Sequence, residues 1–444
     1  MLFDKLKANR RIPFHMPGHK RNTKLLGKKL PYDIDITEID GFDNLHCPRG
    51  VLKEIEDKAK RIYNSDNSFV LVNGSTVGIL SGVAAVLSRG DDVLIARNCH
   101  KSVYNAVELV GARAHYITPE TDEYGVFQPL NPAVLKRRLE EVKPKLLVIT
   151  SPTYEGVCSD VEGICELAHS YNIPVLLDAA HGAHMYELGS SADIVVMSLH
   201  KTLPALTQCA LAHINGDLVS AEKFRIKLSV FETSSPSYVL MSSVDECLSL
   251  LENESYKIRS LEYVLKRADL NDGLADLKHL KLLEYDDIHK LVIFSGYSDL
   301  SGIELANVLR ESFNIEVEMA TASYVVLITT ECDDFWSYKL LQNALKEIDA
   351  SINKTEFESP KAFPIPKKQC EACEVKDSLA VDLSSSEGKI SAEYVWAYPP
   401  GIPLIVPGEV VSREIIDYIS SGVAKSVNIQ STFNMLPEKI YCQS

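Results

Sequence analysis

A chain of 444 residues with 45% hydrophobic side chains is too long for one ordinary core and has the make-up of a packed enzyme of two or three domains. Its formal net charge of −15 argues against nucleic acid or an anionic membrane as a partner, because phosphate binding needs a basic surface. Ten cysteines without a regular framework predict reduced thiols in a cytoplasmic setting, and no apolar run is long enough for a signal peptide or a membrane span.

Residues 1–50 read as an irregular arm of the kind that wraps a partner subunit, with breakers in His15-Met16-Pro17-Gly18-His19-Lys20 and turns around Asp40-Gly41-Phe42-Asp43. Leu52, Ile55, Ala59 and Ile62 then fall at helical spacing. Five short apolar runs follow as predicted strands: Phe69 to Val72, Asp92 to Ala96, Leu146 to Thr150, Val175 to Leu177, and Ile194 to Met197. Each ends in polar residues. These are Asn73-Gly74-Ser75-Thr76, Arg97-Asn98-Cys99-His100, Ser151-Pro152-Thr153-Tyr154, Asp178-Ala179-Ala180-His181 and Ser198-Leu199-His200-Lys201-Thr202. Parallel strands would deliver all five clusters to one edge of a sheet, where open α/β folds bind ligands.

Beyond about residue 250 the pattern changes to strands at Val292 to Phe294 and Val325 to Ile328, with helices at Ser301 to Phe313 and Tyr338 to Ile348. Ser351 to Lys368, rich in proline, lysine and serine, reads as a linker. Rigid turns at Tyr398-Pro399-Pro400-Gly401 and Pro407-Gly408-Glu409 precede a helix with Val411, Ile415, Ile416 and Ile419 on one face.

Three of the strand ends carry recognisable chemistry. Lys201 at a buried strand end is costly unless it works as an amine, since desolvation lowers its pKa and suits it to a Schiff base with a carbonyl or with pyridoxal phosphate. On its own, a lysine capping a strand and reaching solvent is the commoner case. Asp178 needs a cationic or donor partner to stay ionised, and a protonated pyridine nitrogen is one such partner. The spacing of 23 residues from Asp178 to Lys201 leaves room for one connection and one more strand. Gly74 allows a tight turn into a helix whose first N–H groups, with Ser75 and Thr76, suit a phosphate; an ordinary N-cap is the competing account. His181-Gly182-Ala183-His184 lacks a carboxylate or cysteine at ligand spacing, so no metal is expected, and Cys370-Glu371-Ala372-Cys373 has no second pair.

Taken together, His15 to Lys20, Asn73 to Thr76, Asn98 to Ser102, Pro152-Thr153-Tyr154-x-Gly156, Asp178-x-Ala180-His181-Gly182, Ser198-x-His200-Lys201, Ser234-Ser235-Pro236-Ser237-Tyr238, Tyr398-Pro399-Pro400-Gly401 and Pro407-Gly408-Glu409 resemble, in order and over nearly the whole chain, the Orn/Lys/Arg decarboxylases. These are fold-type I enzymes dependent on pyridoxal 5'-phosphate (PLP), and the chain is similar to the short form without an extra N-terminal domain. The resemblance implies an α/β fold: an N-terminal arm (1–50), an aspartate-aminotransferase-like large domain with a mostly parallel sheet (51–250), a small α+β domain (251–350), a linker (351–368) and a C-terminal domain (369–444). It implies Lys201 as the Schiff-base lysine, Asp178 on the pyridine nitrogen and His100 stacked on the ring. Gly74, Ser75, Thr76, Thr153, Ala180, His181, Ser198 and His200 would complete the cofactor site, and Ser234 or Ser235 would reach the phosphate from the second subunit of a homodimer. Glu409 is expected near the distal cation of the substrate.

The expected reaction is decarboxylation of lysine, ornithine or arginine to the corresponding amine. An aminotransferase or lyase on the same scaffold is an alternative, with Arg310 as the available carboxylate clamp. A PLP-binding protein with little turnover is another, motivated by Pro204, Cys209 and Ala179, where the chain departs from the family's pattern.

Overall fold

The computed structural model describes residues 1–9, 16–17, 20–360, 363–424 and 427–444, of which 423 and 424 by their backbone alone. Of the first motif, His15, Gly18 and His19 lie outside the described residues. The chain divides into two compact units. The first takes Met1–Leu87, Pro144–Ser151 and Val161–Arg259, and the second Ser88–Lys143, Pro152–Asp160 and Ser260–Ser444. Among the described residues no helix is long and apolar enough to cross a membrane.

Seven strands come first along the chain: β1 (Asn67–Leu71), β2 (Asp92–Ala96), β3 (Arg113–Ile117), β4 (Leu146–Thr150), β5 (Val175–Asp178), β6 (Ile194–Ser198) and β7 (Ala210–Ile214). In the first unit β1, β7, β6, β5 and β4 lie side by side in that order. The last three are parallel, while β7 runs antiparallel to both β6 and β1. Hence β1, β4, β5 and β6 share one direction, and the polar residues that follow them leave at one edge. Nearly every residue of β4 to β7 is buried, as a sheet covered on both faces requires.

The helix Gly74–Val86 lies against this sheet because its facing residues are small. A Cβ at Gly78 would fall 2.8 Å from Val196 Cγ1 and 2.9 Å from Leu71 Cδ1. Close approach fixes where the helix begins, and so brings its N-terminus to the edge where β5 and β6 end. The N-terminal arm contributes two short helices, Leu2–Ala8 and Thr23–Leu26, and buries Leu2 and Leu6 within its own unit.

Of these seven strands, β7 and β3 were not predicted. In β7, Ala210-Leu211-Ala212-His213-Ile214 has small residues and a histidine where a β-branched run would be expected. Packing on both sides overrides that weak propensity, and His213 is held by Ser68 through Nδ1 at 2.8 Å. In β3, Arg113 and His115 mask the strand; both reach Asp92 of β2, to which β3 is parallel.

The second unit contains an antiparallel four-stranded sheet in the order β10 (Met319–Ala320), β11 (Tyr324–Ile328), β9 (Lys290–Phe294) and β8 (Lys281–Leu283). The helices Gly302–Phe313 and Phe335–Ser351 supply Leu305, Leu309, Leu345 and Ile348 to its core. Residues 352–360 and 363–368 carry no helix or strand. Near the C-terminus, Val395–Ala397 pairs with Ile402–Ile405 and Ile429–Ser431; Ile415, Ile416 and Ile419 form the buried face of the helix Arg413–Ala424, and Val411, expected on that helix, precedes it but is buried in the same cluster.

Candidate active site

The end of β5 carries Asp178, 4% exposed, whose Oδ1 accepts from the Ala180 amide at 3.2 Å. Burial pushes its pKa above the ordinary carboxylate value, and the nearby Lys201 charge pulls the other way. Asp178 lies opposite Val196 of β6, and two residues further β6 ends at Ser198. Ser198 is fully buried, and its Oγ has no hydrogen-bond partner among the described residues. Its amide donates to Ala180 O at 3.3 Å, which ties the two strand ends together.

After Ser198 the chain makes a single helical turn, Leu199–Thr202. Cys209 holds this turn from the start of β7: its carbonyl accepts from the Leu199 and His200 amides and from His200 Nδ1 at 3.0 Å. That bond places the proton of a neutral His200 on Nδ1, and burial keeps its pKa below the ordinary value. Lys201 is thereby turned back toward β5, with Nζ 3.0 Å from His181 Nε2. The departure noted at Cys209 is thus a backbone support of the lysine turn. Thr202, absent from the predicted set, is also buried with a hydroxyl that has no partner among the described residues. Its signal in the sequence was only its place next to Lys201.

Gln208, the neighbour of Cys209, accepts from the Gly74 amide at 2.9 Å. Gly74 has a left-handed φ of +72°, and a Cβ there would meet nothing within 4 Å. The helix it opens has no side-chain cap, because Asn73 Oδ1 accepts instead from the Thr233 amide at 3.2 Å. The first turn therefore offers N–H groups beside the half-buried Ser75 and the exposed Thr76, a setting made for an anion. Ser234 and Ser235 are exposed on the turn between the helices Ala221–Phe231 and Tyr238–Leu251.

The remaining predicted residues belong to the second unit. His100 is the N-cap of the helix Lys101–Val110: its Nδ1 accepts from the Ser102 amide at 3.2 Å, which places the proton of the neutral ring on Nε2. Thr153 is buried, and its hydroxyl accepts from the Val157 amide at 3.1 Å within its own turn. Glu409 is fully buried and faces Arg97, with Nη2 3.2 Å from Oε2; Val406 donates to the same oxygen at 2.9 Å. Burial raises the Glu409 pKa and Arg97 lowers it. In this chain its charge is answered by a protein guanidinium, a partner that the sequence reading did not foresee.

The first unit thus gathers at one edge a primary amine, a buried acid, a buried hydroxyl without a partner and an uncapped helix N-terminus. A flat, cationic, phosphorylated ring joined through an aldehyde would satisfy all four, and PLP fits. The sequence matches the family described as Orn/Lys/Arg decarboxylase, major domain, over residues 2–294. The chain belongs to the Orn/Lys/Arg decarboxylase family. Residues 351–428 match that family's C-terminal domain.

The arginine decarboxylase of Bacillus subtilis is 32% identical over 96% of this chain and 94% of its own length, and that of Bacillus anthracis 30% identical over 96% and 92%. The constitutive lysine decarboxylase of Escherichia coli superposes with a TM-score of 0.83 at 17% identity, over 100% of this chain and 81% of its own. This Orn/Lys/Arg decarboxylase has the PLP-dependent fold-type I architecture, and it is a PLP-dependent amino-acid decarboxylase acting on a basic amino acid.

Proposed function

We propose that this decarboxylase converts arginine to agmatine at a site centred on Lys201. The observation that carries the site is the placing of Asp178 and Lys201 at the ends of adjacent parallel strands, with the amine 3.0 Å from His181. Arginine is preferred over lysine because the relatives at 30–32% identity over nearly the whole chain bear the name arginine decarboxylase.

When bound, PLP supplies a cationic ring that draws off the electron pair of the breaking Cα–carboxylate bond. Lys201 would hold the cofactor. Asp178 would answer the positive ring nitrogen, a partner that further offsets the cost of its buried charge. The first-turn amides after Gly74, with Ser75, Thr76 and the Ser198 hydroxyl, would hold the phosphate. His200, neutral by itself, gains a reason to carry a second proton beside that dianion. Lys201 is the group placed to return a proton to Cα once carbon dioxide has left, and His181 keeps the amine oriented while it does so. His100 would cover one face of the ring, and Thr153 would border it.

The exposed Ser234 and Ser235 suit a homodimer in which each subunit completes the other's phosphate site. A product screen with arginine, lysine and ornithine, using Lys201→Ala as the blank, tests the substrate: agmatine as the main product supports the proposal, and cadaverine or putrescine refutes it. Mixing Lys201→Ala with a Ser234→Ala/Ser235→Ala variant tests the shared site, because shared sites restore activity in mixed dimers and self-contained ones do not.

A further inference from the structure

We propose that Gly401 and the buried Arg97–Glu409 pair are positioning residues that fix the His100 ring. The proposal rests on the reading above, in which His100 meets the cofactor, and deepens it by naming what aims the ring. All the residues concerned lie in the second unit.

The His100 ring is held on one side by the amide and hydroxyl of Ser102, at 3.2 and 2.9 Å from Nδ1. Its opposite edge meets Gly401, where a Cβ would fall 3.0 Å from Cδ2 and 3.1 Å from Nε2. Gly401 has φ +88°, so the turn both needs glycine for its backbone and uses the missing side chain as the seat of the ring. Any other residue there pushes on the imidazole.

A seat works only if it cannot drift, and the turn is pinned from both directions. Lys101, next to His100, donates its amide to Gly401 O at 3.0 Å, and its ammonium lies 4.1 Å from the centre of the Trp396 ring. On the other side Arg97, three residues before His100, donates Nη1 to Pro403 O at 2.8 Å and Nη2 to Glu409. Arg97 is fully buried and packs over Tyr104 and Tyr116 at 5.3 and 5.2 Å. A fork-shaped, permanently charged side chain is suited to grip two carbonyls and a carboxylate at once. The strand that delivers His100 and the turn that seats it are therefore one clamped body.

The test is a double-mutant cycle between Gly401→Ala and His100→Ala, read by absorbance titration of the apoprotein with PLP, by the position of the bound cofactor's visible band, and by kcat and KM. Gly388→Ala is the control, since Gly388 has a similar φ of +77° and nothing within 4 Å of its Cβ position. Gly401→Ala is expected to weaken PLP binding about tenfold, move the visible band and lower kcat with KM nearly unchanged, the scale that a misplacement of less than an ångström produces. Gly388→Ala should stay within about twofold, and the double variant should be no worse than His100→Ala alone. If Gly401→Ala does not fold, Glu409→Gln takes its place in the same cycle. The proposal is overturned if Gly401→Ala matches Gly388→Ala, or if its effect simply adds to that of His100→Ala. If His100→Ala changes neither the band nor PLP affinity, the cofactor-facing reading of His100 has failed instead.

Discussion

Asp178 and Lys201 leave adjacent parallel strands, and the amine's charge acts on the carboxylate while each group takes a hydrogen bond elsewhere, from the Ala180 amide and with His181 Nε2. Two groups held close but not bonded to each other leave room for a ligand to meet both.

The raised pKa of Asp178 has a sign that can be checked in the apoprotein. An acid whose folded pKa lies above its unfolded value of about 3.9 contributes stability below that value and loses it as pH rises through the folded one. Asp178→Asn should therefore raise the thermal unfolding temperature of the apoprotein at pH 8 and change it little at pH 4. The same variant should bind PLP about 100-fold more weakly, the worth of one buried charge-assisted hydrogen bond. Melting curves at the two pH values, with an absorbance titration, check both halves.

Removing the amine should separate binding from bond-breaking. Lys201→Ala is expected to keep its far-UV circular dichroism, lose the visible band of the linked cofactor, and release carbon dioxide at least about 10³-fold more slowly. His181→Ala, which takes away only the partner that orients the amine, should cost about 10–100-fold in kcat. A His181→Ala enzyme as slow as Lys201→Ala would mean that the histidine does more than orient.

Much of the site was legible because a parallel sheet converts sequence order into position: an apolar run marks the strand, and whatever follows it marks the edge. Asp178, Ser198 and Lys201 were readable in that way. Arg97 was not. After Leu94-Ile95-Ala96 an arginine reads as a strand end reaching water, and only folding shows carbonyls and a carboxylate from residues 403–409 closing over it. For the same reason Glu409 could be read as an acid awaiting a cation, since nothing local announces that the cation is already in the chain. β7 stayed hidden because its strand character comes from burial between β1 and β6 rather than from its own residues.

The Arg97–Glu409 pair makes a stability prediction of its own. Glu409→Ala leaves a buried guanidinium without its carboxylate and should cost about 3–5 kcal/mol, whereas Glu409→Gln keeps an acceptor for Val406 and Arg97 and should cost less. Urea unfolding of the two variants gives the order; equal losses would show that the charge is not what matters.

Glu232 links the turn at Asn73 and Gly74 to pH. Its Oε1 accepts from the Val72 amide at 2.7 Å, just before Asn73 and Gly74, and burial pushes its pKa up to about 7. Relative to an unfolded value near 4.3, this contribution is present at low pH and lost as pH rises toward 7. Glu232→Gln keeps an oxygen for the Val72 amide and removes the buried charge. It should stabilise the protein by about 3–4 kcal/mol at pH 8 and change it little at pH 4. A variant equally stabilised at both would exclude the charge as the cause.

His213 acts in the opposite direction. It is fully buried in β7, with Nδ1 2.8 Å from Ser68 Oγ and no partner on Nε2 among the described residues. A bare lone pair is cheaper to bury than an unmet N–H, so Nδ1 carries the proton and donates to Ser68. Protonating Nε2 would create a buried cation with no acceptor, and burial accordingly pushes the pKa down to about 3. A base whose folded pKa lies below its unfolded value near 6.5 gives its full stability above 6.5 and loses about 1.4 kcal/mol for each pH unit below it. His213→Leu removes the titration, while Ser68 keeps the Ser65 hydroxyl at 2.8 Å. Between pH 7.5 and 5.5 the wild-type chain should therefore lose about 1.4 kcal/mol more than the variant in urea unfolding. Equal losses would place the acid-sensitive group somewhere other than β7.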